Sequence, residues 1–252
     1  MGAPLPLDAQ TAVITGAGNG IGAQITRALH AAGFRVIITD IDPDATYRLA
    51  EELDLASETA LTATLDVSKP GDFQSVLDKV TDRWGSVEVL VNNAAVTRAR
   101  PLMEIDPAEF NEVMALNAGG VFAGSQIFAR HFMERGYGRI INMASLAGQN
   151  GGTTTGAHYA ASKGAILTLT KVFARDLAAY GITCNCISPG PLDSPMVHAL
   201  VGENMPQMLK NIPAGQLGDP AFVGQLVTLL ASPAAGFVTG ACWDYNGGLY
   251  MR

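Results

Sequence analysis

The sequence predicts a doubly wound parallel α/β sheet of about seven strands carried in one domain over residues 1–252. Three observations lead there. Short apolar, β-branched runs alternate with longer segments of helical period from one end to the other. The short runs lack a polar face, as strands do when both sides of a sheet are covered. The first run passes directly into a glycine-rich turn that opens a helical pattern.

The predicted strands are residues 12–15, 35–39, 60–65, 87–91, 139–143, 183–188 and 241–244. Helical periodicity fills residues 20–32, 44–53, 70–84, 107–135, 159–180 and 219–230. Right-handed crossovers then make each successive strand parallel to the last. Five prolines from Pro189 to Pro213 predict a long irregular segment over Gly190 to Gly215, with residues 191–215 as a lid over a substrate site. No internal repeat or linker divides the chain.

Composition excludes several functions. Hydrophobic residues make up 48% and charged residues 15%, which is ample core material and no signature of disorder. Apolar runs are strand-sized, so no membrane partner is expected. A net charge of −7 with scattered basic residues argues against nucleic acid and for a small-molecule partner. Residues 1–7 carry no secretory pattern, and a cytoplasmic location is expected. Cys184, Cys186 and Cys242 have no ligand-spaced partners, and free thiols rather than a metal site are expected.

The turn after the first strand reads Thr15-Gly16-Ala17-Gly18-Asn19-Gly20-Ile21-Gly22. Glycine there lets a pyrophosphate approach the backbone, and the helix start offers unpaired N–H groups. This is the Rossmann-type arrangement, although a glycine turn alone can be a plain strand-to-helix corner. Asp40 closes the second strand eighteen residues after Gly22, where a carboxylate can accept from ribose hydroxyls. It would repel a 2′-phosphate, and Ile41, Asp42 and Pro43 bring no compensating cation, which favours NAD(H) over NADP(H). The plain alternative is that Asp40 and Asp42 solvate a loop and start a helix.

Tyr159 and Lys163 stand four apart on one helix face. An ammonium beside a phenol stabilises the phenolate, which turns a weak acid into a usable one. Ser145 lies just beyond the end of the preceding strand, which sets the pair apart from a surface Tyr-Lys pair.

With these motifs in order, the sequence resembles the short-chain dehydrogenase/reductase family along nearly its whole length. The glycine turn resembles the family's nucleotide loop. Asp66-Val67 resembles its adenine contact, and Asn92-Asn93-Ala94 its Asn-Asn-Ala-Gly segment, with Ala95 in place of glycine. Asn117, Ser145, Tyr159 and Lys163 match its catalytic tetrad, and Pro189, Gly190, Leu192 and Ser194 its nicotinamide-covering segment, with Ser194 for the commoner threonine. The resemblance implies a nicotinamide enzyme interconverting a secondary alcohol and a ketone. In it Ser145 orients the carbonyl, Tyr159 transfers the proton, Lys163 lowers the phenol's pKa and holds the ribose, and Asn117 positions a relay water. Asn93, Ala94, Gly16, Asn19, Gly20, Ile21, Gly22, Asp40, Ile41, Asp66 and Val67 are the implied cofactor contacts.

The ending through Asn246-Gly247-Gly248 resembles that of 3-oxoacyl-carrier-protein and acetoacetyl-CoA reductases, and Arg130 and Arg175 fall where those dock the carrier, although two such arginines equally suit solvated helix faces. Those enzymes mostly use NADPH, which Asp40 opposes. A 3-oxoacyl-thioester reductase is therefore the alternative, and a non-catalytic NAD-binding redox sensor a second. The segment 148–158 should wall the substrate pocket, while His158, His198 and Trp243 read as structural. The helix 159–180 is apolar nearly all round, and a homotetramer is expected.

Overall fold

The computed structural model describes residues 6–54, 56, 58–152 and 155–252. Its seven strands are β1 (Thr11–Thr15), β2 (Arg35–Asp40), β3 (Ala60–Thr64), β4 (Val89–Asn92), β5 (Gly138–Met143), β6 (Ile182–Pro189) and β7 (Cys242–Tyr245). They form one parallel sheet in the order β3-β2-β1-β4-β5-β6-β7. The helices are α1 (Gly20–Ala31), α2 (Pro43–Leu53), α3 (Pro70–Trp84), α4 (Pro107–Met114), α5 (Gly120–Arg135), α6 (Ala147–Asn150), α7 (Ala157–Leu177), α8 (Pro195–Val201), α9 (Met205–Asn211) and α10 (Pro220–Ala231).

Every residue of β1, β4, β5 and β6 is buried, because helices cover both faces of the sheet. On one face Ile14, Val36 and Val91 pack with Leu29 of α1 and Val227 of α10. On the other, Val13, Leu90 and Ile140 pack with Phe73 of α3, Phe128 of α5 and Leu177 of α7. Polar side chains tie this second layer together. Asn92 donates to Ser125 Oγ (3.1 Å) and Asn142 Oδ1 (2.9 Å), and Asn142 donates to Thr170 Oγ1 (3.0 Å). β4, β5, α5 and α7 thus keep a fixed register directly beneath the carboxyl ends of the strands.

Several expectations change. Residues 190–215 are not irregular: they hold α8, a short 3-10 turn and α9. Pro195 and Pro206 each stand in the first turn of a helix, where the missing N–H has no intrahelical acceptor to lose. The side chains of Met196 and Leu200, and Thr153 and Thr154 of the expected pocket wall, lie outside the described residues, as do residues 1–5 of the amino-terminal segment. The expected helix 107–135 is interrupted: α4 and α5 are joined by a π-helical turn at Ala115–Gly119. No helix among the described residues is long and apolar enough to cross a membrane.

Candidate active site

The strand order turns around between β1 and β4, so the crevice of this sheet opens above their carboxyl ends. Thr15 ends β1 there, and its hydroxyl accepts from the N–H groups of Asn93 and Ala94 (both 3.0 Å). Asn93 returns its side-chain amide to the carbonyls of Thr15 (3.0 Å) and Gly16 (2.9 Å). The loop after β4 therefore clamps the glycine turn, and no side chain fits inside the clamp. A Cβ on Gly22 would lie 2.1 Å from the Gly16 carbonyl, and Gly16 itself takes φ +62° against Ala94. Gly20, by contrast, faces open space within 4 Å of where a Cβ would project. That space, with the free N–H groups of the first turn of α1, suits a pyrophosphate.

Asp40 reaches the same turn. One carboxylate oxygen accepts from Gly18 N (3.0 Å) and the other from Asp42 N (3.1 Å). Asp42 caps α2 through Asp44 N and Ala45 N, so the plain role weighed for these two acids belongs to Asp42. Ile41 is left 69% exposed beside Asp40. Asp66 spends one oxygen on the amide and hydroxyl of Ser68, and the Ser68 hydroxyl is the largest cause holding its carboxyl below the usual range. Val67 is buried against Gly120.

The side chains expected to transfer the proton meet above β5. Ser145 follows that strand, and its hydroxyl accepts from Ala147 N (3.1 Å) at the start of α6. Lys163 is buried, its Nζ donates to the Met143 carbonyl (2.7 Å), and it stands 5.6 Å from the Tyr159 ring centre. Burial lowers the Lys163 pKa to about 8. It also raises the Tyr159 phenol, against a smaller lowering from a hydrogen bond with Ser145.

Asn117 is fully buried on the π-helical turn. Its Oδ1 accepts from Val96 N (2.8 Å), and its Nδ2 donates to Val96 O (2.9 Å) and Ser162 Oγ (3.0 Å). With the amide so engaged, it locks the loop after β4 to the tyrosine helix. Val96 and Ser162 are site residues that sequence reasoning missed. Ser162 sits inside the Tyr159-to-Lys163 spacing and could have been found; Val96 carries no side-chain signal, since only its backbone takes part.

On the covering side, Gly190 N bonds Tyr245 O (2.8 Å), and a Cβ on Gly190 would press on Asn246 Cα at 2.9 Å. Pro189 ends β6, Leu192 is buried, and Ser194 caps α8 by accepting from Val197 N (3.3 Å). His158 is buried, with its Nδ1 accepting from Tyr159 N (2.8 Å) and its Nε2 near Glu109 (3.3 Å). His198 pairs with Asp193 at the surface, and Trp243 packs on the core. Arg130 is exposed on α5, and Arg175 pairs with Asp176 at 2.8 Å.

Comparison with known proteins agrees with this fold. A family model described as enoyl-(acyl carrier protein) reductase matches residues 16–250. The 3-oxoacyl-[acyl-carrier-protein] reductase of Vibrio cholerae is 36% identical over 245 residues, spanning 97% of this chain and 99% of its own. That of Escherichia coli is 35% identical over 246 residues, spanning 97% and 98%. The crystal structure of a short chain dehydrogenase from Bacillus anthracis superposes with a TM-score of 0.89 at 27% identity, covering 98% of this chain and 99% of that one. This chain is therefore a member of the short-chain dehydrogenase/reductase family, an oxidoreductase that uses a nicotinamide cofactor and acts between CH–OH and C=O.

Proposed function

We propose that the chain is an NAD(H)-dependent cytoplasmic oxidoreductase that interconverts a secondary alcohol and a ketone, with Ser145, Tyr159, Lys163 and Asn117 as its working residues. The observation that carries the reading is the convergence of Ser145, Tyr159 and Lys163 above β5, with Asn117 bracing them from the π-helical turn. The nicotinamide, when bound, accepts or donates the hydride. Ser145 holds the substrate oxygen by hydrogen bond, and Tyr159 takes the alcohol's proton in oxidation or returns it in reduction. Lys163 keeps a cation within reach of the phenol. Asn117 acts through Val96 and Ser162, which take both of its amide hydrogens, so a relay water could meet its side chain only as a donor to the second lone pair of Oδ1.

The cofactor is held, in this reading, by the turn from Gly16 through Asn19, Gly20 and Ile21 to Gly22, with Asp40 and Ile41 toward the adenosine ribose. Asp66, Val67, Asn93 and Ala94 flank it, and Pro189, Gly190, Leu192 and Ser194 cover it. The Asp40 carboxylate beside Gly18 N supports NAD(H), since a 2′-phosphate would meet a negative charge there with no neighbouring cation at Ile41, Asp42 or Pro43. Residues 191–215 act as the lid. A 3-oxoacyl-thioester reductase is the second reading, favoured by the names of the relatives that cover the chain end to end.

A homotetramer is supported by the face that α7 leaves open. Ala161 and Val172 are exposed there, Ala165 and Leu169 are half-buried, and Phe173 meets the exposed Phe122 of α5 at 6.0 Å.

The test is spectrophotometric: NAD and NADP separately, against secondary alcohols and 3-hydroxyacyl thioesters, for wild type and Tyr159→Phe. NAD-linked turnover that falls by at least about 10²-fold in the variant is expected. Turnover unchanged in the variant sinks the tyrosine's role, and preference for NADP sinks the Asp40 argument. Tight NAD binding with no turnover on any compound would favour the sensor reading.

A further inference from the structure

β7 is the edge strand, and its first residue, Cys242, lies in direct register with Cys186 of β6. In-register residues on neighbouring strands lie about 4.7–4.9 Å apart, inside the Cα range of about 4.4–6.8 Å that a disulfide spans. The two side chains share a face, since both join one small cluster with Val121, Ala144, Ile166 and Leu167. Cys186 is buried, whereas Cys242 is partly open to solvent. Around Cys242 the surroundings are polar: the Gln149 amide is 3.6 Å from its sulfur, and Asp244, ion-paired with Arg252, is 3.5 Å away. Cys184, on the same strand as Cys186, has no thiol across from it, because its carbonyl faces the N–H of Gly240.

We propose that Cys242 and Cys186 form a peroxide-reactive thiol pair, Cys242 attacking and Cys186 resolving, which closes into a disulfide across the β6–β7 edge and slows turnover. The Cys242 sulfur attacks one oxygen of hydrogen peroxide, the O–O bond breaks, and the thiol proton leaves with the departing hydroxide as water. Cys242 is then a sulfenic acid. The Cys186 sulfur displaces its hydroxyl, forming S–S and breaking S–O, and the Cys186 proton leaves with that hydroxide as a second water. Two thiols lose two electrons, and the peroxide gains them.

The electrostatics support this order. A hydrogen bond from Cys186 and the charge of Arg252 hold Cys242 below the ordinary thiol range, against Asp244 and burial, while Cys186 is pushed up. The effect on turnover follows from position. Cys186 packs on Ala144, next to Ser145, and on Ile166, one turn beyond Lys163. Cys242 touches Gln149 of α6, the helix whose first N–H is held by Ser145. Closing the bond requires the two Cβ atoms to approach, since they stand near strand spacing and a disulfide needs about 3.8 Å. That shift pulls on the Ser145 segment. The loss of turnover rests on the role assigned to Ser145 above; formation of the bond does not.

The experiment treats the purified protein with hydrogen peroxide, alkylates remaining thiols in denaturant, and maps peptides by mass spectrometry without reductant. Of the three free thiols, two should be lost, with a linked Cys186–Cys242 peptide pair lighter by two hydrogens. Dithiothreitol should restore both the thiols and the turnover. Cys242→Ser should keep its thiols, and Cys186→Ala should stop at oxidised Cys242 monomers. Retention of all three thiols under peroxide that oxidises free cysteine in the same tube overturns the proposal, as does a linked pair containing Cys184. A closed bond with unchanged turnover overturns the coupling to Ser145. The wild-type mapping needs no variant to fold.

Discussion

Among the described residues no acid pairs with the buried Lys163, whose ammonium is held by one carbonyl. Its pKa falls from 10.5 in the unfolded chain to about 8 in the folded one. Between those values the unfolded chain binds more protons than the folded chain, so stability rises with pH across that window. Below about pH 8 the burial cost is fully present, and above pH 10.5 it is gone. The raised Tyr159 phenol acts in the opposite sense, but only above its unfolded value of 10.0. Urea unfolding of wild type and Lys163→Met across this range should show the difference in stability between them shifting toward wild type as pH rises; a pH-independent difference would mean that the ammonium is not desolvated. At Gly22 the argument is steric. An alanine methyl would sit 2.1 Å from the Gly16 carbonyl and 2.6 Å from Asn93 Nδ2, inside the clamp that shapes the turn. Gly22→Ala should cost about 1–3 kcal/mol, roughly 2–4 °C in Tm per kcal/mol for a chain of this size, and should weaken nucleotide binding measured by calorimetry. A variant with wild-type Tm and affinity would show that the turn relaxes freely.

At the level of elements, much of the chain was legible because hydrophobic period and helix starts agree. Strand positions and five of the six long helices follow from runs of Val, Ile and Ala bounded by Gly or by Asp-Pro, where proline fits the first turn and aspartate caps it. The same code was overlooked between Gly190 and Gly215. Ser194-Pro195 is a cap followed by a first-turn proline, yet the run of prolines from Pro189 to Pro213 reads as a broken segment rather than two short helices. The π-helical turn at Ala115–Gly119 was not legible at all. It is set by tertiary demand, the bonds from Asn117 to Val96 and Ser162, which no local pattern encodes. The Tyr159–Lys163 pair was readable by spacing and Ser145 by its place after a strand, Asn117 came only with the family resemblance, and the clamp by Asn93 on the glycine turn became visible only once β1 and β4 lay side by side. Capping gives this scale its prediction. Asp219 accepts from Ala221 N at 2.8 Å and starts α10, far from the tetrad in sequence. Asp219→Ala should cost about 0.5–2 kcal/mol in denaturant unfolding with kcat unchanged; no loss of stability would mean that the first-turn proline suffices.

The whole molecule exposes apolar surface on both sides of its sheet. On one side α5 and α7 present Phe122 and Val172, and on the other α10 presents Phe222 and Leu229. A monomer gains nothing from either, and the proposed tetramer, if it has twofold symmetry, would need two separate faces of this kind, one for each kind of contact. A glutamate placed in the centre of such a face would have to be desolvated without a partner, which is strongly unfavourable. Val172→Glu should therefore convert a tetramer into a dimer held by the α10 face, and Leu229→Glu into a dimer held by the α5–α7 face. The double variant should be monomeric by sedimentation velocity. Because α7 also carries Tyr159 and Lys163, loss of its contact should lower Tm and turnover together, whereas loss of the α10 contact should lower Tm with turnover retained. Wild type sedimenting as a monomer, or either single variant remaining a tetramer, would remove the assembly argument while leaving the chemistry of Ser145, Tyr159 and Lys163 to stand on its own geometry.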